Sequence, residues 1–329
     1  MVDTMRAVVM TEVGEPEVLQ VREVPRPAPA AGEILVRVAT SGVNRADLLQ
    51  RRGGYAAPPG SPQDIPGMEF SGTVEAVGAG VGRWATGDRV MGIVGGGAYA
   101  EFVVTHADAA VAVPAGVDLE RAGAIPEVFM TAFDAVFVQE GLQSGETLLV
   151  HAVGSGVGTA ALQLGLAFGA TVLGTSRTPD KLERAAALGL EHAVPGDDHW
   201  PERVMEITGG RGVDVILDLV GGPYLAGNQK VLAGRGRHIV VGVTGGARTE
   251  IDLRALMVRR GSIRGTVLRS RPVEEKIALT RAFARDALPS FASGDIEPVV
   301  DRILPAREAP EAHRLLERNA TFGKVLLRW

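Results

Sequence analysis

From Thr147 to Ala152 the chain is apolar (TLLVHA); it then enters a turn of small residues, Val153 to Gly158, continues as a helical pattern (TAALQLGLAFG), and returns as an apolar run ending Thr175-Ser176-Arg177. This predicts a strand, a tight glycine turn, a helix and a parallel strand. The alternation continues: helix 157–169, strand 171–176, helix 179–189, a short strand at 192–194, helix 200–208, strand 213–220, helix 223–233, strand 237–243, helix 252–260 and strand 262–267. Six short apolar runs separated by helical patterns of about ten residues predict an all-parallel sheet covered on both faces, a doubly wound α/β domain.

The first 125 or so residues read differently. Short β-type runs (RAVVM, ILVRVAT, FSGTVEAVG, RVMGIV, YAEFVVT, AVAVP) are separated by turns rich in glycine and proline, which predicts a compact β-barrel-like domain with a helix inserted at 45–52. The chain leaves it near Pro126 through a helical stretch, Glu127 to Gln139. Residues 274–292 read as an amphipathic helix, and 297–329 as strand, helix and final strand. That tail is too short for its own core, so 268–329 is expected to fold back onto 1–125, leaving 126–267 as the doubly wound domain.

Composition narrows the function classes. A chain of 329 residues suits two domains, and 46% hydrophobic with 22% charged residues is globular. A net charge of −5 supports neither nucleic-acid nor membrane-surface binding. No apolar run reaches membrane-spanning length and the first residues lack a signal-peptide core, so a cytoplasmic location is expected. The absence of cysteine excludes disulfides, thiolate nucleophiles and cysteine-ligated zinc.

The glycine turn carries the first candidate chemistry. Gly154, Ser155, Gly156, Val157 and Gly158 read G-x-G-x-G, with Thr159 where the strict dinucleotide fingerprint has its third glycine. Free N–H groups at the following helix start suit an anionic pyrophosphate, and Ser155 either replaces a glycine or adds a hydroxyl to that contact. The strand ending at Ser176 has no carboxylate for a ribose 2′-hydroxyl. Ser176, Arg177 and Lys181 instead suit a 2′-phosphate, which points to NADPH; the plainer reading of Arg177 and Lys181 is solvated charge at a helix start. Gly242 and Val243 follow the fifth strand, Val267 and Leu268 the sixth. Carboxyl ends of such strands hold ligands, so these turns are expected to border the nicotinamide half. His151 reads as a satisfied structural histidine.

The segments SGVNRADLLQRRGGYAAPPG, GMEFSGTVEAVG, GDRVMGIVGGGAYAEFVVT, AGAIPEVFMTAFDAV, HAVGSGVGTAALQL and FGKVLL resemble, in collinear order over nearly the whole chain, the zinc-independent quinone oxidoreductase branch of the medium-chain dehydrogenase/reductase superfamily. The resemblance implies a GroES-like β-rich catalytic domain built from both termini, a central Rossmann domain with a six-stranded sheet, a cleft between them, and a homodimer joined through the Rossmann sheets. It implies NADPH-dependent reduction of quinones, with reduction of enones or 2-alkenals as the enzymatic alternative. A non-catalytic, crystallin-like NADPH-binding role is the alternative from another class.

Zinc-bearing relatives have a cysteine and a Gly-His-Glu as metal-sphere residues; the matching positions here are Asn44 and Gly67-Met68-Glu69, with Glu127 at the third. This set is unsuited to tetrahedral zinc, so no metal is expected and catalysis falls on positioning. Asn44 and Asp47 read equally as an N-cap with a first-turn carboxylate, while the resemblance places Asn44 in the active-site cleft and Asp47 in support of that loop. Tyr55 is either a packing lid or, as the resemblance implies, a ring lining the nicotinamide and quinone site. Thr131 is either a mid-helix threonine bonding back to a carbonyl or a nicotinamide contact. Arg269 and Arg271 are expected either to pair across the dimer or to line the cleft entrance. The tyrosine that the family has at the adenosine end is missing, its place taken by the loop around Gly196.

Overall fold

Antiparallel ladders and glycine-rich turns build the first of two units into which the chain divides; the computed structural model describes residues 3–329, with divisions at Met130/Thr131 and Val267/Leu268. In this unit β1 (Thr4–Met10) pairs antiparallel with β2 (Leu19–Pro25). Strands β3 (Glu33–Val43), β4 (Glu69–Val77), β5 (Arg89–Ile93), β6 (Phe102–His106) and β7 (Ala110–Ala112) follow. Between β3 and β4 lies helix α1 (Arg45–Arg51), and after β7 come α2 (Leu119–Ala122) and α3 (Pro126–Phe133), the last running through the first division.

The second unit is the alternating one. Its strands β8 (Thr147–Val150), β9 (Thr171–Ser176), β10 (His192–Pro195), β11 (Val213–Asp218), β12 (Leu232–Val240) and β13 (Ser262–Gly265) alternate with α4 (Gly156–Ala167), α5 (Pro179–Ala186), α6 (Trp200–Ile207), α7 (Leu225–Val231) and α8 (Leu253–Arg259). The spatial order is β10-β9-β8-β11-β12-β13, and every pair is parallel. Strand order therefore reverses between β8 and β11, where a crevice opens at the carboxyl ends of an open α/β sheet.

The tail returns to the first unit as α9 (Val273–Asp286), α10 (Leu288–Ser293), β14 (Val300–Pro305), α11 (Ala309–Glu317) and β15 (Lys324–Arg328). Its last strand enters the larger sheet, ordered β14-β15-β3-β4-β5-β7 with β6 also on β3, and runs antiparallel to β3 with Val325 opposite Val43 and Leu326 opposite Gly42. Leu326 and Leu327 are fully buried, and such side chains stabilise by roughly 1.5–3 kcal/mol each. The same register sets Lys324 beside the end of β3.

Several elements end earlier than the apolar pattern suggests. Strand β11 stops at Asp218 because its carboxylate accepts the N–H groups of Val220 and Gly221, and β12 stops at Val240 because Val241 N–H turns back to the Asp218 carbonyl. The stretch 127–139 is a helix only to Phe133 and continues as a wider π-helical turn over Asp134–Gln139. Residues 274–292 form two helices, with Pro289 in the first turn of the second, a position that tolerates its missing N–H. Among the described residues no helix is long and apolar enough to cross a membrane.

Candidate active site

In the second unit the turn after β8 is shaped for close approach. Ala152 takes a left-handed backbone conformation at φ 51°, and a Cβ at Gly158 would overlap the Ala152 carbonyl oxygen. Ser155 caps α4, its Oγ accepting the Gly158 N–H at 3.1 Å. Among the described residues the N–H groups of Gly156 and Val157 have no protein acceptor, so two donors at a helix N-terminus point outward. A dinucleotide's pyrophosphate fits that cradle.

Beneath the turn lies a buried polar chain that the sequence reading touched only at His151. The two ring nitrogens of His151 bond Thr175 Oγ1 at 2.9 Å and Asn228 Oδ1 at 2.6 Å. Asn228 Nδ2 donates to Asp218 Oδ2, which also pairs with His238 Nε2 at 3.0 Å. Burial lowers the His151 pKa to about 4, so this ring is neutral and structural.

At the end of β9, Arg177 is exposed, while Lys181 is largely buried on α5 and the Ser176 hydroxyl is engaged by the Thr178 backbone. Tyr224, stacked on Trp200, donates its hydroxyl to the Gly196 carbonyl at 3.2 Å, so a tyrosine from a different element reaches that loop. Thr131 Oγ1 is buried and bonds no carbonyl, so Thr131 is not a mid-helix threonine bonding back to its own helix. Gly242 is half-buried, Val243 and Val267 are exposed, and Leu268 is buried in the first unit.

In the first unit a buried charge network gathers around β3, β4 and β15. Lys324 Nζ donates to the Val43 carbonyl at 2.9 Å and to Asn44 Oδ1 at 2.6 Å, and pairs with Glu69 Oε1 at 2.6 Å. All three ammonium protons thus have acceptors. Glu69 also receives Asn44 Nδ2 at 2.9 Å and the Glu127 N–H at 2.8 Å. Gly42 is required here, because any Cβ would overlap the Glu69 carboxylate.

Asp47 is fully buried and works from behind. It accepts the Asn44 N–H at 2.9 Å, the Tyr99 hydroxyl at 3.0 Å and the Gly67 N–H at 3.3 Å, with its pKa raised by burial to about 6. With both oxygens taken by protein donors, Asp47 is a positioning group for the Asn44 and Gly67 backbone. Tyr99 in turn meets His313 Nε2 at 3.4 Å, and burial lowers the His313 pKa to about 3.

Tyr55 is half-buried, with the Arg269 guanidinium 5.3 Å from its ring centroid. Arg269 is a buried side chain, not a surface one: Nε donates to the Gly95 carbonyl at 2.7 Å and Nη2 to Gln50 Oε1 at 2.5 Å. The structure therefore joins Asn44 and Asp47 directly through the capping contact, and joins neither to Tyr55, which shares Arg269 with α1 through Gln50. Sequence reading missed Lys324, Gln50, Tyr99 and His313. Lys324 lies in the quoted FGKVLL segment, but only the β15–β3 register reveals its role.

Residues 30–115 match the family described as alcohol dehydrogenase GroES-like domain, and 156–284 the zinc-binding dehydrogenase family. Quinone oxidoreductase of Rattus norvegicus is 32% identical over 328 residues, covering 98% of this chain and 97% of the relative. A crystal structure of an NAD-dependent alcohol dehydrogenase is 36% identical with a TM-score of 0.89, covering 99% of this chain and 100% of that one. The CurK enoyl reductase is 26% identical with a TM-score of 0.86, over 99% of each chain. The fold, its GroES-like and six-stranded parallel units, and these similarities agree: the chain belongs to the quinone oxidoreductase branch of the medium-chain dehydrogenase/reductase superfamily.

Proposed function

We propose that this oxidoreductase reduces quinones with NADPH and without a metal ion. When bound, the reduced nicotinamide supplies a hydride; the protein's own groups hold the dinucleotide and the acceptor. The observation that carries the metal-free reading is the surroundings of Lys324 Nζ. Its ammonium engages the amide oxygen of Asn44, one of the three positions (Asn44, Met68 and Glu127) that would supply a metal sphere, and the Glu69 carboxylate next to Met68, so a cation already stands at that end of the site. NADPH is favoured by a β9 that ends without a carboxylate and with Arg177 exposed.

Asn44, Asp47 and Tyr55 are the candidates of the GroES-like unit for the acceptor, and the 154–158 turn, Thr131 and the turns at 242–243 and 267 are those of the Rossmann unit for the dinucleotide, with Leu268 just beyond it. Self-association fits the second unit's edge: β13 pairs on one side only, and α8 exposes Leu253, Met257 and Val258. A homodimer continuing this sheet is the expected form, tested by light scattering.

Reduction of an enone is the second reading, favoured by the similarity to the CurK enoyl reductase. Loss of the reduced nicotinamide's near-ultraviolet absorbance, with phenanthrenequinone against hexenal as acceptor, separates the two. Faster turnover of the quinone is expected; turnover of hexenal alone would assign an enone reductase, and turnover of neither would leave a binding protein.

A further inference from the structure

We propose that Arg269 and Glu127 form the acceptor's carbonyl site: Arg269 Nη1 holds the oxygen on which negative charge develops, and the Glu127 carboxyl delivers the proton. The proposal rests on the reductase reading above and assigns the groups that complete it. Among the buried polar atoms of the first unit that have no partner in the protein are Arg269 Nη1 and Glu127 Oε2, on side chains with no catalytic assignment so far. Native proteins rarely leave such atoms unsatisfied, and a bound ligand is one way in which the bonding is completed. Arg269 is 2% exposed and fixed by Gly95 and Gln50, so Nη1 is pre-aimed without rearrangement.

The charges around Glu127 explain why it carries a proton. Burial is the largest influence, Glu69 and Asp47 repel its anion, and Lys324 and Arg269 only partly offset them; together they raise its pKa to about 8. Lys276 Nζ donates to the Arg269 carbonyl at 2.7 Å, and burial lowers the Lys276 pKa and raises that of the Tyr55 phenol. Glu127 is thus an acid at neutral pH, and both orphaned atoms are donors. An acceptor oxygen is their natural partner, with the half-buried Tyr55 ring beside Arg269 as a flat apolar surface.

The step balances. A bound reduced nicotinamide would supply a hydride to the acceptor, whose π electrons would move onto the carbonyl oxygen that Arg269 holds. The Glu127 O–H bond breaks as the proton joins that enolate or hydroquinone anion, and the Glu127 carboxylate regains a proton from water. The nicotinamide is oxidised by two electrons and the acceptor reduced by two.

The test uses Glu127→Gln, Arg269→Met and Arg269→Lys in the full chain, with para-nitrophenolate as an oxyanion probe in the absence of dinucleotide. In the unaltered protein, phenolate affinity is expected to fall as pH rises through about 8, where Glu127 ionises. Glu127→Gln should abolish that fall, and both Arg269 variants should weaken binding at every pH. In turnover, Glu127→Gln should lower kcat by about 10²–10⁴ and Arg269→Met by about 10²–10³, with unchanged dinucleotide Kd. Pairing Met with Lys guards against a variant that fails to fold, as each removes Nη1. Equal phenolate binding by all forms, or an unchanged kcat in Glu127→Gln, overturns the proposal. If the unaltered protein reduced no acceptor, the reductase reading would fall instead, and the phenolate titration would still decide whether these two groups form an oxyanion site.

Discussion

The two units build their sites by opposite means. The dinucleotide turn of the second unit is made of backbone, from one continuous stretch between β8 and α4, and its donors are N–H groups that any small residue supplies. The polar site of the first unit is made of side chains from residues 44–55, 69, 127, 269 and 324, most of them buried and charged. A backbone site tolerates change in side-chain chemistry but not in side-chain volume. A buried ionic site behaves in reverse, because removing one partner leaves the other uncompensated.

The largest expected effect breaks the ionic site. Lys324→Met should cost about 3–5 kcal/mol in urea unfolding, because Glu69 then keeps a buried charge without its cation. Adding Glu69→Gln should recover much of that loss; no recovery would show that Lys324 contributes packing, not charge. The matching break in the second unit is Gly158→Val, which forces the Ala152 carbonyl aside and should raise the dinucleotide Kd by roughly tenfold or more. Isothermal titration checks it, and an unchanged Kd would remove the turn from the binding site.

These two breaks correspond to what the sequence could and could not reveal. Turn 154–158, the order of alternation and the missing carboxylate after β9 are local patterns, so periodicity and turn chemistry were enough to read them. The Lys324 contacts depend on β15 pairing with β3 across 280 residues of chain between Asn44 and Lys324, and no local pattern encodes that register. Arg269 reads from sequence as a dimer-contact or cleft-entrance charge for the same reason: its partners Gly95 and Gln50 lie far back in the sequence. Element ends were misplaced where a side chain intervened, as Asp218 does after β11.

Smaller effects sharpen the comparison. Tyr55→Phe should leave quinone kcat nearly unchanged, whereas Tyr55→Ala should lower it about tenfold through lost stacking; a large drop in the Phe variant would make the phenol an acid. Arg177→Ala should raise KM for NADPH by a few-fold and leave KM for NADH alone, since one exposed cation keeps only part of a screened phosphate contact of about 4 kcal/mol. Equal changes in both would show that Arg177 does not read the 2′-phosphate.

The last effect concerns pH. His151 and His313, held neutral by burial at pKa values of about 4 and 3, bind protons more readily when unfolded. Their stabilisation is present above the ordinary histidine pKa and is lost as pH falls from about 6.5 through those values. Glu127 acts oppositely: raised to about 8, it makes the fold less stable as pH rises from the ordinary carboxyl range to that value. Thermal melts of Glu127→Gln should therefore lie above those of the unaltered protein at pH 9 and close to them at pH 5, and a constant offset would contradict the assignment.

Metal content measured together with turnover tests most directly whether Lys324 replaces a metal in this site. After exhaustive chelation and dialysis, quinone reduction by NADPH should be unchanged and elemental analysis should find no stoichiometric zinc. Stoichiometric zinc whose removal abolishes activity and whose return restores it would contradict the lysine-centred site.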